Sequence, residues 1–268
     1  MPSKPFAVIP ADLGSFDTVA SEVAGHPASN LGEFNHIGMT WKTEDSAGPV
    51  NNCWIIGDFA PNAPQIDFVS LLHAAVPSTA TWLFALTDDA TLATYDFSTG
   101  FIPFMDPVIT REDGLYSTHL ELPAPLTHRY WYLEIRGVPA ALEAAKLIVG
   151  KKIEFANYYS PGFEFGTEDL GDMEIGRWGV PEETPGLIFR RLTAKFGWMS
   201  RADMDEKFRP LVERVGKRTP ILFCMDPEAT VNRQARTYFG WLREPPFFTG
   251  AVNKFDRYEA EFSILSMI

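Results

Sequence analysis

Three pairs of neighbouring carboxylates, Asp88-Asp89, Glu168-Asp169 and Glu182-Glu183, are the first residues in the chain whose type suits acid–base chemistry. Glycoside hydrolysis needs two such groups facing each other across the scissile bond, roughly 5 to 9.5 Å apart. Neighbours on a strand point to opposite faces, and neighbours in a loop face water. None of the three pairs is built for that step, and a glycan hydrolase is the weakest functional reading. The histidines His26, His36, His73, His119 and His128 stand alone, without HxH or HExxH spacing, whereas zinc needs several ligands converging on one point. His73 lies in an apolar run and reads as a hydrogen-bonded core residue rather than a base. Cys53 and Cys224, far apart and each in an apolar stretch, read as buried free thiols. Serines near glycine (Ser46-Ala47-Gly48, Ser98-Thr99-Gly100) lack the G-x-S-x-G elbow, and no nucleotide-binding glycine motif occurs. No catalytic, cofactor-binding or metal-ligating set emerges, no cofactor is expected, and calcium in a loop is left open.

Aromatic residues are the other source of chemistry. Trp54, Trp82 and Trp131 sit in strand-like runs and belong to a core, where each such ring buries on the order of 150–250 Å². Trp41, between Gly38-Met39-Thr40 and the 42–48 loop, is the candidate for an exposed ring stacking on a sugar. Trp178, close to Gly176 and Gly179, suits an interface anchor.

The elements that must carry these residues are mostly strands. Segments 53–59 (CWIIGDF), 66–76, 81–87 (TWLFALT), 116–122, 130–135 (YWYLEI) and 145–149 are short and rich in β-branched and aromatic residues. Gly48-Pro49, Pro61-Asn62-Ala63-Pro64, Asp88-Asp89, Asp113-Gly114 and Pro123-Ala124-Pro125 punctuate them as turns. A short helix at 11–23 is the only competitor. Further on, 187–198 alternates, with Ile188, Leu192, Ala194, Phe196 and Trp198 on one face. Ser200 and Asp203 resemble a capping box that opens a helix near 200–215, with Met204, Phe208, Leu211, Val212 and Val215 as its apolar stripe. Pro210 should kink it or start a new turn, and Gly216 should stop it. Segment 220–225 (PILFCM) reads as a buried strand, Asp226-Pro227-Glu228 as a turn and helix start, and 258–265 as a half-exposed closing strand.

The formal net charge of −12 argues against nucleic acid. Most of the acidic excess lies in residues 1–155, which suggests two modules. No apolar run approaches the roughly 20 residues of a membrane span, so no membrane insertion is expected. The N-terminus does not read as a signal peptide, and folding in a cytoplasm is expected.

The run Pro27-Ala28-Ser29-Asn30-Leu31, then Trp54-Ile55-Ile56-Gly57-Asp58-Phe59, Gln65-Ile66-Asp67-Phe68-Val69, the 81–87 strand ending at Asp88-Asp89, and Arg129-Tyr130-Trp131-Tyr132-Leu133-Glu134-Ile135 resemble the discoidin family of galactose-binding-like jelly rolls. That resemblance implies a binding module for glycan, lipid or protein, with no ligand residue carried over. The second half, through 187–196, the helix at Ser200, Arg218-Thr219-Pro220-Ile221-Leu222-Phe223-Cys224-Met225-Asp226-Pro227-Glu228 and Tyr238-Phe239-Gly240, resembles bacteriophage tail proteins. The expected fold is mainly β: a jelly-roll β-sandwich plus a second β-rich domain with one prominent α-helix. Its expected parts are a lead-in at 1–25, the jelly roll at 26–156 and a tail-assembly-like domain at 157–268. The resemblance implies a structural protein of a phage tail tip or baseplate, located in the virion tail and assembled in the host cytoplasm. Its partners would be other virion tail proteins, in a homo-oligomeric ring or hetero-assembly, and host surface glycan. The alternative is a stand-alone carbohydrate-binding protein.

Overall fold

The computed structural model of the chain describes residues 4–36, 38–44, 52–175, 177–228, 230–250 and 256–267. The expected turn at Gly48-Pro49, the serine at Ser46 and the glycine at Gly176 lie outside them. Two compact units divide the chain. The first is Val8–Lys152 with Glu228–Gln234; the second is Met1–Ala7 with Ile153–Pro227 and Ala235–Ile268.

The first unit is a β-sandwich of jelly-roll type. One antiparallel sheet runs in the order Ser15–Val19, Cys53–Asp58, Tyr130–Arg136, Thr81–Thr87 and Phe97–Ser98, with Ile102–Pro103 also paired to Thr81–Thr87. The other runs Lys146–Gly150, Ile66–Ala75, Leu115–Leu126. Ile55, Phe84, Trp131 and Leu133 from the first sheet and Val69, Leu71, Leu122 and Leu147 from the second form one buried cluster. Alternation explains it, since every second residue of a strand faces the same side. Trp131 lies flat on Gly57, its partner in the register, where any Cβ would collide with the indole. The Trp131 Nε1–H donates to the Leu13 carbonyl at 3.1 Å.

Three expectations change here. Residues 11–23 hold the strand Ser15–Val19 instead of a helix, because pairing with Cys53–Asp58 lets Phe16 meet Trp131 edge-on at 5.6 Å; tertiary contact overrides the local helical pattern. That strand sits in the segment expected as a lead-in. Trp41 is fully buried, paired through its short strand with Glu143–Ala144, and offers no face to a sugar.

The second unit is built on one sheet in the order Lys152–Glu154, Phe6–Val8, Ile221–Cys224, Thr237–Glu244, Arg257–Ser266, Ile188–Ser200 and Glu164–Asp169, with Thr249–Gly250 paired to Arg257–Ser266. Its core is aromatic. Phe155 stacks on Phe196 at 3.8 Å and Phe208 at 4.5 Å, and meets Phe223 and Phe262 edge-on. The buried strand expected at 220–225 is Ile221–Cys224, and both cysteines are buried free thiols. In Ile188–Ser200, Leu192, Ala194 and Phe196 are buried as expected, but Ile188 and Trp198 are exposed. A register shift between Phe196 and Met199 accounts for the latter: it turns Trp198 out, at φ 59°, and Met199 in.

The helix begins as expected. Ser200 Oγ accepts the Asp203 N–H at 3.0 Å and donates to the Asp203 carboxylate at 2.7 Å. Arg201–Asp203 is α-helical, Met204–Phe208 is π-helical and Arg209–Val215 is α-helical again. Pro210 has no N–H to return to the preceding turn, and the wider turn, closed by Arg209 N–H to Met204 O, lies immediately before it. Asp226-Pro227-Glu228 starts no helix; Asp226 accepts from Arg236 at 2.9 Å and a turn follows. No helix among the described residues is long and apolar enough to cross a membrane.

Candidate functional site

On the strand Tyr130–Arg136, Trp131, Leu133 and Ile135 face the core, so Tyr132, Glu134 and Arg136 share the outer face. These three residues build a connected network. The Tyr132 hydroxyl donates to Glu134 Oε2 at 2.7 Å, Arg136 Nε donates to Glu134 Oε1 at 2.6 Å, and Asn52 Nδ2 donates to the same oxygen at 3.0 Å. Burial opposes the charge of Glu134, but hydrogen bonds from Arg136, Tyr132 and Asn52 outweigh it and hold the carboxyl below its ordinary range. The Tyr132 hydroxyl is pushed far up by burial and by the carboxylate it serves. It stays a neutral donor.

An aromatic ring caps each end of the row. Tyr95 stacks on Tyr132, centroids 6.0 Å apart and planes 11° apart, and Arg136 lies 3.6 Å over the ring of Phe101. Tyr95 is 41% exposed and Phe101 39%, while Glu134 is only 5% exposed. Tyr95 is held by the return of its loop, where Asp96 N–H donates to Leu86 O at 3.0 Å. Phe101 is held by the Ile102–Pro103 strand beside Thr81 and Trp82. Four residues of strand separate positions 132 and 136, about 13 Å. The result is a shallow face with a ring at either end and a fixed donor–acceptor cluster between them.

The carboxylate pairs weighed for acid–base chemistry lie elsewhere. Asp88 accepts the Arg129 N–H at 2.9 Å and His128 Nδ1–H at 3.1 Å, and the first of these leads in lowering its pKa. Asp89 accepts from both Thr91 N–H and its hydroxyl. Glu168 faces Arg191 at 3.5 Å and Arg243 at 3.3 Å, Asp169 accepts the Gly171 N–H, and Glu183 is exposed on a ribbon. These contacts solvate or brace loops.

His73 sits at φ 49° where the pairing of its strand shifts, half-buried rather than in the core. His119 Nδ1 meets Ser70 Oγ at 2.9 Å, and burial with the nearby Arg233 charge keeps its ring neutral well below the ordinary range. It borders a cavity of about 260 Å³ together with Trp82, Phe104, Ser117 and Gln234.

Asp88, Asp96 and His128 bring three ligand atoms within 4.8 Å of one another. Calcium prefers six to eight oxygens, and this trio supplies two carboxylates and an imidazole whose Nδ1 already serves Asp88. The set does not match that ion.

No family model and no curated protein matches the chain. Among solved structures, a chitosan-binding module of a chitosanase/glucanase from Paenibacillus sp. IK-5 overlaps at 18% identity and TM-score 0.38, over 52% of this chain and 96% of that one. A family 32 module from a family 31 glycoside hydrolase of Clostridium perfringens overlaps at 14% and 0.41, over 53% and 96%. The family 32 module of C. perfringens NanJ, in complex with galactose, overlaps at 14% and 0.38, over 54% and 98%. The fold assignment rests on the paired sheets and their shared core.

Sequence reasoning passed over Tyr95, Phe101, Glu134 and Arg136. The alternation Tyr132, Glu134, Arg136 against Trp131, Leu133, Ile135 was the available signal.

Proposed function

We propose that the first unit is a carbohydrate-binding module whose site is the outer face bounded by Tyr95 and Phe101. One observation carries the reading: two half-exposed rings flank a carboxylate, a guanidinium, an amide and a phenol already locked together. A pyranose presents a patch of C–H to an aromatic face and hydroxyls to such groups, and sites of this kind pair apolar contact with a few placed polar atoms. Arg136 commits Nε to Glu134, so its terminal nitrogens are the natural donors to a ligand.

Calorimetric titration of the full chain with galactose and chitosan oligosaccharides tests it, these being the sugars named for two of the overlapping folds. Saturable binding to one of them is expected. Tyr95→Ala or Phe101→Ala should weaken it by about tenfold each, near 1.4 kcal/mol, with melting unchanged. Wild-type binding that both variants retain would place the sugar elsewhere.

A second reading, a structural subunit of a phage tail tip or baseplate residing in the virion tail with tail-protein partners, is favoured by one feature of the second unit. Its 163–188 segment exposes large apolar side chains, Trp178 among them at 87%, the kind of patch that marks a protein interface. Mass spectrometry of purified particles carrying the chain tests it; absence from every particle fraction defeats it.

A further inference from the structure

Among the described residues, the strands Asp172–Ile175 and Pro181–Thr184 pair only with each other, as a two-stranded ribbon. Such a ribbon alone is marginal in water, and this one exposes Met173, Ile175, Trp178 and Val180. Its charges compound the cost. Glu174 and Glu183 are both exposed on it, and like charges held on one small ribbon repel. Residues 163–188 hold seven carboxylates and one cation, Arg177. Among the described residues, Glu168 is neutralised by Arg191 and Arg243, whereas Glu164, Glu174 and Glu183 have no ion-pair partner. Among the described residues the surface lacks an apolar cover, and its one cation, Arg177, lies 5.8 Å from the Trp178 ring centroid.

The same unit carries a complement. Along the helix, Arg201, Lys207 and Arg209 are each paired with an acid on the helix, Asp205, Asp203 and Glu213 respectively. At its C-terminal end, Arg214, Lys217 and Arg218 are exposed, and among the described residues none has an ion-pair partner.

We propose that the acidic ribbon docks on a second copy of this chain, against the cationic end of that copy's helix. Carboxylates 174 and 183 would face Arg214, Lys217 and Arg218. The exposed Trp178 face would receive a guanidinium, an arrangement favourable for arginine over tryptophan. The two patches differ, so the contact is head-to-tail, and copies either close into a ring or extend into a filament. It holds whether or not the first unit binds sugar.

Sedimentation velocity of the full chain over a concentration series tests this, with two charge-reversed variants: R214E/K217E/R218E and E174K/E183K. All five positions are exposed, and unchanged circular-dichroism melting confirms that each variant folds. Wild type is expected to self-associate above the 30.0 kDa monomer and to weaken with salt. Each variant alone should associate at least about tenfold more weakly. Mixed in equal amounts, the variants should regain association, because each supplies the patch the other's altered surface now needs. A wild type that stays monomeric overturns the proposal. So do variants that associate like wild type, or a mixture that fails to recover.

Discussion

The outer face of the first unit and the 163–188 ribbon of the second both show aromatic rings to solvent, yet they are built in opposite ways. On the outer face each ring leans on a polar partner, Tyr95 on Tyr132 and Phe101 on Arg136, and both partners are tied to the buried carboxylate of Glu134. On the ribbon, exposed apolar side chains stand among exposed carboxylates such as Glu174 and Glu183. The first arrangement is satisfied before any ligand arrives, so a small ligand meets groups already in position and little ordering cost remains. The second is a surface with unmet demands, which suits a macromolecular cover. Exposure of aromatics alone does not tell these apart; the hydrogen-bond inventory beneath them does.

The contrast breaks most readily at Glu134. Glu134→Gln removes a charge that three donors were built around, and hydrogen bonds to charged groups are worth about 1.5–3 kcal/mol. A loss of about 2–3 kcal/mol in urea unfolding is expected, with Arg136 and Tyr132 released. A loss under about 0.5 kcal/mol, the size of an ordinary surface change, would mean the outer face is no better organised than the ribbon.

Lys146 sharpens the same point within the first unit. Its Nζ is buried and donates to the carbonyls of Asn30 at 2.9 Å and Met39 at 2.7 Å, and burial, partly offset by Glu33, draws its pKa from 10.5 to about 8. Between pH 8 and 10.5 the unfolded chain therefore holds the proton more than the folded one does. Stability from this group rises with pH across that window, on the order of 3 kcal/mol. Denaturation of wild type against Lys146→Met at pH 7.5 and 10.5 isolates it. Wild type should gain on the variant at the higher pH, and a constant difference would contradict the shift.

The smallest effect belongs to the ribbon. Trp178→Ser should change the unfolding free energy of dilute protein by less than about 0.5 kcal/mol, because the ring is 87% exposed. A larger loss would show that the ribbon already has a cover within its own chain.

The strands were legible wherever one residue's fate was set by its neighbours in sequence. Tyr130–Arg136, Thr81–Thr87 and Ile221–Cys224 fall where alternation or continuous apolarity puts them. Ser200 and Asp203 likewise announce the helix within four residues. What escaped depends on long-range register. Trp41 looked exposed between glycine-rich and polar residues, but its strand pairs with Glu143–Ala144, a hundred positions on, and that pairing buries it. Trp198 followed the alternation until one irregularity reversed its side. Tyr95 and Phe101 come from connecting segments, and nothing local shows that their rings reach Tyr132 and Arg136. The outer-face network was half visible, as the off-core residues of a recognised strand, and half invisible, as rings delivered from loops.

Backbone amide shifts of the full chain, followed by NMR during titration with the best-binding sugar, test the central claim most directly. The account predicts saturable shifts concentrated at Tyr95, Phe101 and positions 132–136. Shifts centred instead on Asp88, Asp96 and His128, or no saturable shifts with any sugar, would contradict it.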